Sequence, residues 1–220
     1  MATCILIPAY NAGKTILPVV RETLAHGMPV VVVDDGSTDD TSVLLSGLPL
    51  TLLRHEQNLG KGAALKTGFA WAIGSGFTAV VTVDADGQHD VSAIPSLIAA
   101  AQKGNLGILI ASRYSQFQQM AGLRKIWNRI GVWCIRKRTG LEITDSQSGF
   151  RYYSGEVLKK VPLESNGYAL EMEIILKAWK NGFTAGSLPV AARVADGRAT
   201  SHYRPINDTF TISMTFLRNM

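Results

Sequence analysis

Apolar positions in the first half of the chain follow two rhythms. Residues 3–8, 29–33, 50–53, 78–83 and 107–111 are short aliphatic or β-branched runs bounded by polar turns, and each predicts a strand. Between them, residues 14–25 carry Ile16, Leu17, Val20 and Leu24 at helical spacing, and 63–73 and 94–101 also read as helices. Thr38 or Asp39 is placed to cap a short helix ending at Leu45. An unbroken run such as Val30-Val31-Val32-Val33 suits a strand covered on both faces. Strands separated by helices of this length predict an α/β fold with a mostly parallel sheet. Ligands of such sheets bind beyond the carboxyl ends of the strands. The turns Ala9-Tyr10-Asn11, Asp34-Asp35-Gly36-Ser37 and Asp84-Ala85-Asp86 sit at those ends and are expected to meet at one rim.

The second half is less regular. Residues 125–137 form a basic amphipathic pattern holding Ile126, Trp127, Ile130, Trp133 and Cys134. A polar turn at 144–151 enters a short strand. Residues 168–181 read as a helix with Glu171 and Glu173 near its start, where the helix dipole favours them. Residues 183–194 read as a strand interrupted by Pro189, and an amphipathic helix is expected from about Pro205.

At 220 residues the chain is long enough for one well-buried domain. No apolar run approaches the roughly 20 residues of a membrane span. The N-terminus runs into a strand with no basic leader region, which predicts a cytoplasmic protein. Cys4 and Cys134 make no disulfide framework and are expected to be small buried thiols. The net charge of +5 is modest but uneven: Arg124, Lys125, Arg129, Arg136, Lys137 and Arg138 fall in one block without an acid. That block predicts an anionic partner. Tryptophan beside Lys and Arg suits a membrane surface, and a solvated helix face is the alternative. A nucleic-acid partner would need a wider basic surface with stacking platforms, which the first half lacks.

The chemistry concentrates at Asp84-Ala85-Asp86-Gly87-Gln88-His89. Two carboxylates at i and i+2 after a strand point to the same side and repel. A hard divalent cation would relieve that, with Gln88 as a neutral oxygen ligand. Taken alone, the stretch reads more readily as an acidic turn; the motifs around it reverse that balance. Gly13-Lys14-Thr15 lacks the upstream glycine of a phosphate loop, since Pro8 stands there, and Gly60-Lys61-Gly62 lacks the dinucleotide pattern. The four histidines have no zinc spacing. His89 reads as an exposed turn residue with a possible assisting role at the carboxylates.

The order of motifs carries a family resemblance. Ile7-Pro8-Ala9-Tyr10-Asn11, Val32-Val33-Asp34-Asp35-Gly36-Ser37-Thr38-Asp39, Asn58-Leu59-Gly60-Lys61-Gly62 and Asp84-Ala85-Asp86 resemble the family 2 glycosyltransferases of GT-A fold. Ala111-Ser112-Arg113-Tyr114, Asp145-Ser146-Gln147-Ser148-Gly149-Phe150-Arg151, Gly167-Tyr168 and Leu188-Pro189-Val190 are similar to the branch of dolichol-phosphate mannose synthase and bacterial polyprenyl-phosphate glycosyltransferases. The resemblance implies a single Rossmann-like domain over 1–220. Within it, 1–112 would bind the nucleotide-sugar and 113–195 the acceptor, with a C-terminal loop and helix over 196–220.

It also implies roles. Pro8, Ala9, Tyr10, Asn11, Asp34, Asp35, Gly36, Lys61, Asp84, Ala85, Asp86 and Arg193 would hold the nucleotide-sugar. Asp84, Asp86 and Gln88 would hold Mg²⁺ or Mn²⁺. Arg113, Arg124 and Asn128 would grip a polyprenyl or dolichyl phosphate, so catalysis would rest on Asp86 and Arg113. For a sugar-hydroxyl acceptor, Asp145 would be the general base. Ala12 stands where the family often has an acid, and Asn128 where a hydroxyl is frequent. After Arg193, Gly197-Arg198-Ala199-Thr200 replaces Gly-x-Ser-Lys, leaving Arg198 or Arg204 to substitute for the lysine. The expected enzyme moves one sugar from GDP-mannose or a UDP-sugar, with inversion, at the inner face of the membrane. The alternatives are transfer to a hydroxyl in cell-envelope polysaccharide, a sugar-phosphate nucleotidyltransferase, and a catalytically silent scaffold. The nucleotidyltransferase needs a basic Gly-rich loop that Ala9-Tyr10-Asn11-Ala12-Gly13 does not provide.

Overall fold

The β-branched runs are buried end to end in strands β1 (Thr3–Ala9), β2 (Val30–Asp34) and β4 (Ala79–Thr82). A computed structural model describes residues 2–113 and 123–191, apart from the side chains of 123–127. Arg193, Tyr114, His202, the side chain of Arg124, the substitutes Arg198 and Arg204, and the expected C-terminal helix lie outside the described residues. In chain order the elements are β1, α1 (Ile16–Leu24), β2, α2 (Thr41–Leu45), β3 (Thr51–Arg54), α3 (Lys61–Gly74), β4, α4 (Ile94–Lys103) and β5 (Ile108–Ser112). There follow α5 (Leu123–Thr139), β6 (Arg151–Ser154), α6 (Gly155–Lys160), α7 (Leu170–Lys180) and β7 (Ala185–Pro189).

The strands form one seven-stranded sheet in the order β3-β2-β1-β4-β6-β5-β7. All neighbours are parallel except β6, which runs antiparallel between β4 and β5. Alternate residues of each central strand feed two cores. Leu6, Val31 and Val33 pack with Leu65 and Phe69 of α3 and Ile174 and Ile175 of α7. Ile5, Ile7 and Val32 pack with Ile16 and Val20 of α1 and Ile94 and Leu97 of α4. The register sets Ala9 beside Asp34, and Val83 donates its N–H to the Leu6 carbonyl at 3.0 Å. The ends of β1, β2 and β4 therefore share one rim, as the alternation of elements predicts.

Several details differ from the sequence reading. Helix α3 begins at Lys61 rather than at residue 63, so Lys61 stands in its first turn. Strand β7 ends at Pro189, which has no N–H to extend a ladder. The short helix α6 was not foreseen; the Ser154 hydroxyl accepts the Val157 N–H and starts it. Cys4 is buried, and burial pushes its thiol up to about 12, whereas Cys134 is only half-buried.

Glu171 and Glu173 lie in the first turn of α7, but dipole pairing on the surface is not their role. Glu173 is buried. Its carboxylate accepts the N–H groups of Glu164 at 2.9 Å and Ser165 at 2.8 Å, and Lys177 Nζ lies 2.6 Å away. Burial would raise its carboxyl, but Lys177 and the backbone donors outweigh that and hold it below the ordinary value. Its stabilising contribution is therefore complete above the unfolded value of about 4.3 and is lost as pH falls through the folded one. Glu173→Gln should cost about 2 kcal/mol at pH 7. In urea titrations the gap from wild type should close on acidification; a gap equal at pH 7 and pH 3 would contradict this account.

Candidate active site

Asp84 stands just past β4 and is held from three sides. Lys61 Nζ lies 2.7 Å from its Oδ1, and His89 Nε2 lies 3.2 Å from its Oδ2. On the third side is Gly149, where any Cβ would fall well inside van der Waals contact with the carboxylate. Burial would raise the Asp84 carboxyl, but Lys61 and His89 outweigh it and keep it far below the ordinary range. Lys61 also reaches Glu171 Oε1 at 3.2 Å and lies 5.5 Å from the Tyr168 ring centroid. Burial would discharge this lysine; Asp84 and Glu171 keep it charged. Asp86 differs: burial, then the nearby Asp84 charge, raises its carboxyl above the ordinary value. Its Oδ1 accepts the Gln88 N–H at 3.0 Å, which closes the turn.

That asymmetry tests the metal. Among the described residues, no group of three His, Cys, Asp or Glu side chains is placed to hold an ion alone. Two carboxylates, both half-buried and one of them raised by its neighbour's charge, fit a hard cation that completes its shell with substrate phosphates and water. Asp84 and Asp86 suit Mg²⁺ or Mn²⁺ entering together with a diphosphate.

The neighbouring rim brings together the other donor-side candidates. Pro8 and Ala9 close β1 and are buried; Tyr10 and Asn11 follow, half-buried. Asn11 has φ 47°, and its Oδ1 accepts the Thr38 N–H at 2.8 Å, fastening the first turn to the second. Asp34 is fully buried at the end of β2. Its Oδ1 accepts the Ser37 N–H at 2.9 Å, while its Oδ2 lies 3.4 Å from Arg54 Nε and receives no hydrogen bond from the described residues. A buried acceptor with unused capacity at a rim is suited to a ligand N–H or O–H. Asp35 is committed inward instead: it accepts the N–H groups of Leu59 and Gly60 and pairs with His55 Nδ1 at 2.7 Å. It thereby sets the start of α3 and the placement of Lys61. Gly36, at φ 71°, lies against the Gln57 backbone and leaves no room for a side chain.

On the acceptor side, Arg113 Nε lies 3.5 Å from Asp145 Oδ2. Asp145 has no exposed surface, and its Oδ1 accepts the N–H groups of Gln147 at 2.9 Å and Ser148 at 3.1 Å. A carboxylate so enclosed orients Arg113 and the 145–148 turn. Asn128 is likewise internal. Its Oδ1 accepts the N–H and Oγ–H of Ser146, tying α5 to the same turn. The exposed face of α5 carries Ile130 and Trp133 among Arg129, Arg136 and Lys137, with Lys137 Nζ 5.9 Å from the Trp133 ring.

His89 corrects the sequence reading most. It is 3% exposed rather than a solvated turn residue. Glu171, Tyr168 and Gly149 were not singled out for the metal side, because they reach Asp84 and Lys61 only through the antiparallel β6 and the start of α7. The available signal was Gly149 inside the Ser148-Gly149-Phe150-Arg151 motif.

Comparison with known proteins agrees with this architecture. The sequence model described as Glycosyl transferase family 2 matches residues 4–164. A polyprenol monophosphomannose synthase of Mycolicibacterium smegmatis is 30% identical over 203 residues, covering 86% of this chain and 76% of that one. A UDP-N-acetylglucosamine–dolichyl-phosphate N-acetylglucosaminyltransferase of Methanococcus voltae is 31% identical, covering 84% of this chain and 83% of that one. The crystal structure of glucosyl-3-phosphoglycerate synthase of Mycobacterium tuberculosis with Mn²⁺, UDP and phosphoglyceric acid superposes with a TM-score of 0.75 at 19% identity, over 99% of this chain and 78% of that one. At that identity the likeness concerns the fold. With a GT-A sheet whose strand ends gather these motifs, the chain is a glycosyltransferase and belongs to glycosyl transferase family 2.

Proposed function

We propose that this glycosyltransferase moves one sugar, with inversion, from a nucleotide-sugar such as GDP-mannose or a UDP-sugar to a polyprenyl or dolichyl phosphate. The observation that carries the choice of acceptor is the enclosure of Asp145. A hydroxyl acceptor needs a base within reach; a phosphate is already ionised near pH 7 and needs alignment instead. Arg113, oriented by Asp145, supplies that alignment, with Arg124 as the second cation. The names of the Mycolicibacterium and Methanococcus relatives agree with a lipid-phosphate acceptor.

On the donor side, Asp34 would take the base or ribose through its unused oxygen, beside Pro8, Ala9, Tyr10 and Asn11. Asp84 and Asp86, with Gln88, would hold Mg²⁺ or Mn²⁺, which when bound neutralises charge on the departing diphosphate. Lys61, already charged beside Asp84, adds a second positive group, and Arg193 a third. Among the described residues, no helix is long and apolar enough to cross a membrane. The exposed Ile130 and Trp133 among cations support peripheral attachment of α5 to the anionic cytoplasmic face, where the lipid acceptor is presented.

The test is incubation with labelled nucleotide-sugars and a short polyprenyl phosphate in anionic vesicles, with and without Mn²⁺. A lipid-linked product is expected only with metal, and Asp86→Asn should lower its rate by about 100-fold or more. Transfer only to a sugar hydroxyl, or equal transfer with the metal chelated, would overturn the reading. So would failure to sediment with the vesicles, for the membrane part.

A further inference from the structure

We propose that His89 is a positioning residue for the metal site, presenting the Asp84 carboxylate to the cation. This rests on the reading that Asp84 is a metal ligand. The imidazole is buried, with its side chain 1% exposed and its ring 5.5 Å from the fully buried Phe150 ring. Nε2 lies 3.2 Å from Asp84 Oδ2. A carboxylate paired with Lys61 at 2.7 Å is ionised and only accepts, so Nε2 carries the proton and donates it. Nδ1 has no hydrogen-bond partner among the described residues.

A buried nitrogen without a partner is a cost to folding. Phenylalanine would fill the same slot beside Phe150 without that cost. The polar ring therefore makes sense through its other nitrogen. Lys61 and His89 take one oxygen each of Asp84, and the Gly149 backbone lies against its third side. Together they fix the rotation of the carboxylate before a cation arrives. Removing the Nε2 donor frees that rotation while leaving the Lys61 pair intact. Partners of this kind in other metal sites change affinity by about 10- to 100-fold when removed.

The experiment compares wild type with His89→Phe, His89→Gln, His89→Asn and Asp84→Asn. For each, the Mn²⁺ concentration giving half of the thermal stabilisation by fixed UDP, and separately by fixed GDP, is measured. His89→Phe should raise that concentration by about 10-fold or more, with the metal-free melting temperature equal to or above wild type. His89→Gln places an amide N–H near the Nε2 position and should restore most of the affinity; the shorter His89→Asn should not. An unchanged Mn²⁺ requirement in His89→Phe overturns the inference. So does a drop in metal-free melting temperature with no rescue by Gln, which would mark His89 as a packing residue. If Asp84→Asn also keeps the wild-type requirement, the metal reading itself fails; if only Asp84→Asn loses it, the fault lies with His89 alone.

Discussion

Gly149→Ala should leave the protein folded and slow sugar transfer by about 100-fold. The backbone at Gly149 has no need of glycine's left-handed conformations, since its φ is not among the positive ones. The obstacle is across the cleft: an added Cβ collides with both oxygens of Asp84. Gly149 cannot retreat easily, because Thr82 Oγ1 on β4 donates to its carbonyl at 2.7 Å and Arg151 follows two residues on in β6. The Asp84 side chain must turn instead, leaving Lys61 or His89. Replacing Gly by Ala also lowers the entropy of the unfolded chain, which offsets part of the local strain. The expected pattern is a circular dichroism spectrum and melting temperature near wild type, with transfer nearly lost and more Mn²⁺ required. A variant with wild-type turnover would show that Asp84 need not sit where the structure has it.

Arg151→Met should lower stability by about 3–5 kcal/mol, a large share of what a domain of this size commonly has. The guanidinium is fully buried. It donates to the carbonyls of Ser148 at 2.6 Å, Glu171 at 2.7 Å and Ser146 at 2.9 Å. Burial would favour loss of its proton; Tyr153, Glu171 and Asp145 keep it charged. Methionine has similar length but leaves three carbonyls without their donor. The damage should spread to both substrates, because Ser146 and Ser148 belong to the turn that holds Arg113, and Glu171 holds Lys61. Urea unfolding should show a lower midpoint with an unchanged slope. Arg151→Lys should rescue little, since a single ammonium cannot fork toward three separated carbonyls. A loss below about 1 kcal/mol for Arg151→Met would show the network to be dispensable.

Much of the donor half was legible because its signals are local. Val30–Val33 predicts a doubly covered strand wherever it lies, and each polar turn at a strand end follows from strand length. Parallel pairing then brings those turns to one rim, so Asp34, Asn11 and Asp84 meet there as expected. Side-chain commitments were not legible. Asp34 and Asp35 are neighbours of the same type, yet one keeps an unused oxygen and the other is saturated by Leu59, Gly60 and His55. The internal partners of Asp145, at Gln147 and Ser148, and of Asn128, at Ser146, are likewise written nowhere in the local pattern. His89 looked like part of a solvated turn because the sequence holds no trace of Phe150 lying against it.

The sequence by itself determined the strand–helix alternation, the rim of turns, the pair of carboxylates and the basic face of α5. These depend on residue type and spacing over a few positions, which the chain carries along its own length. Only the tertiary structure decided which charges meet. Lys61, Asp84, Gly149 and Glu171 come from four separate segments, and the antiparallel entry of β6 between β4 and β5 unites them. Each group's environment is set by burial and by partners up to about a hundred residues away in sequence, such as Lys61 and Glu171. Local pattern does not encode such contacts, and so the division of Asp84 and Asp86 into a carboxylate clamped by Lys61 and His89 and one raised by burial and its neighbour's charge belongs to the fold.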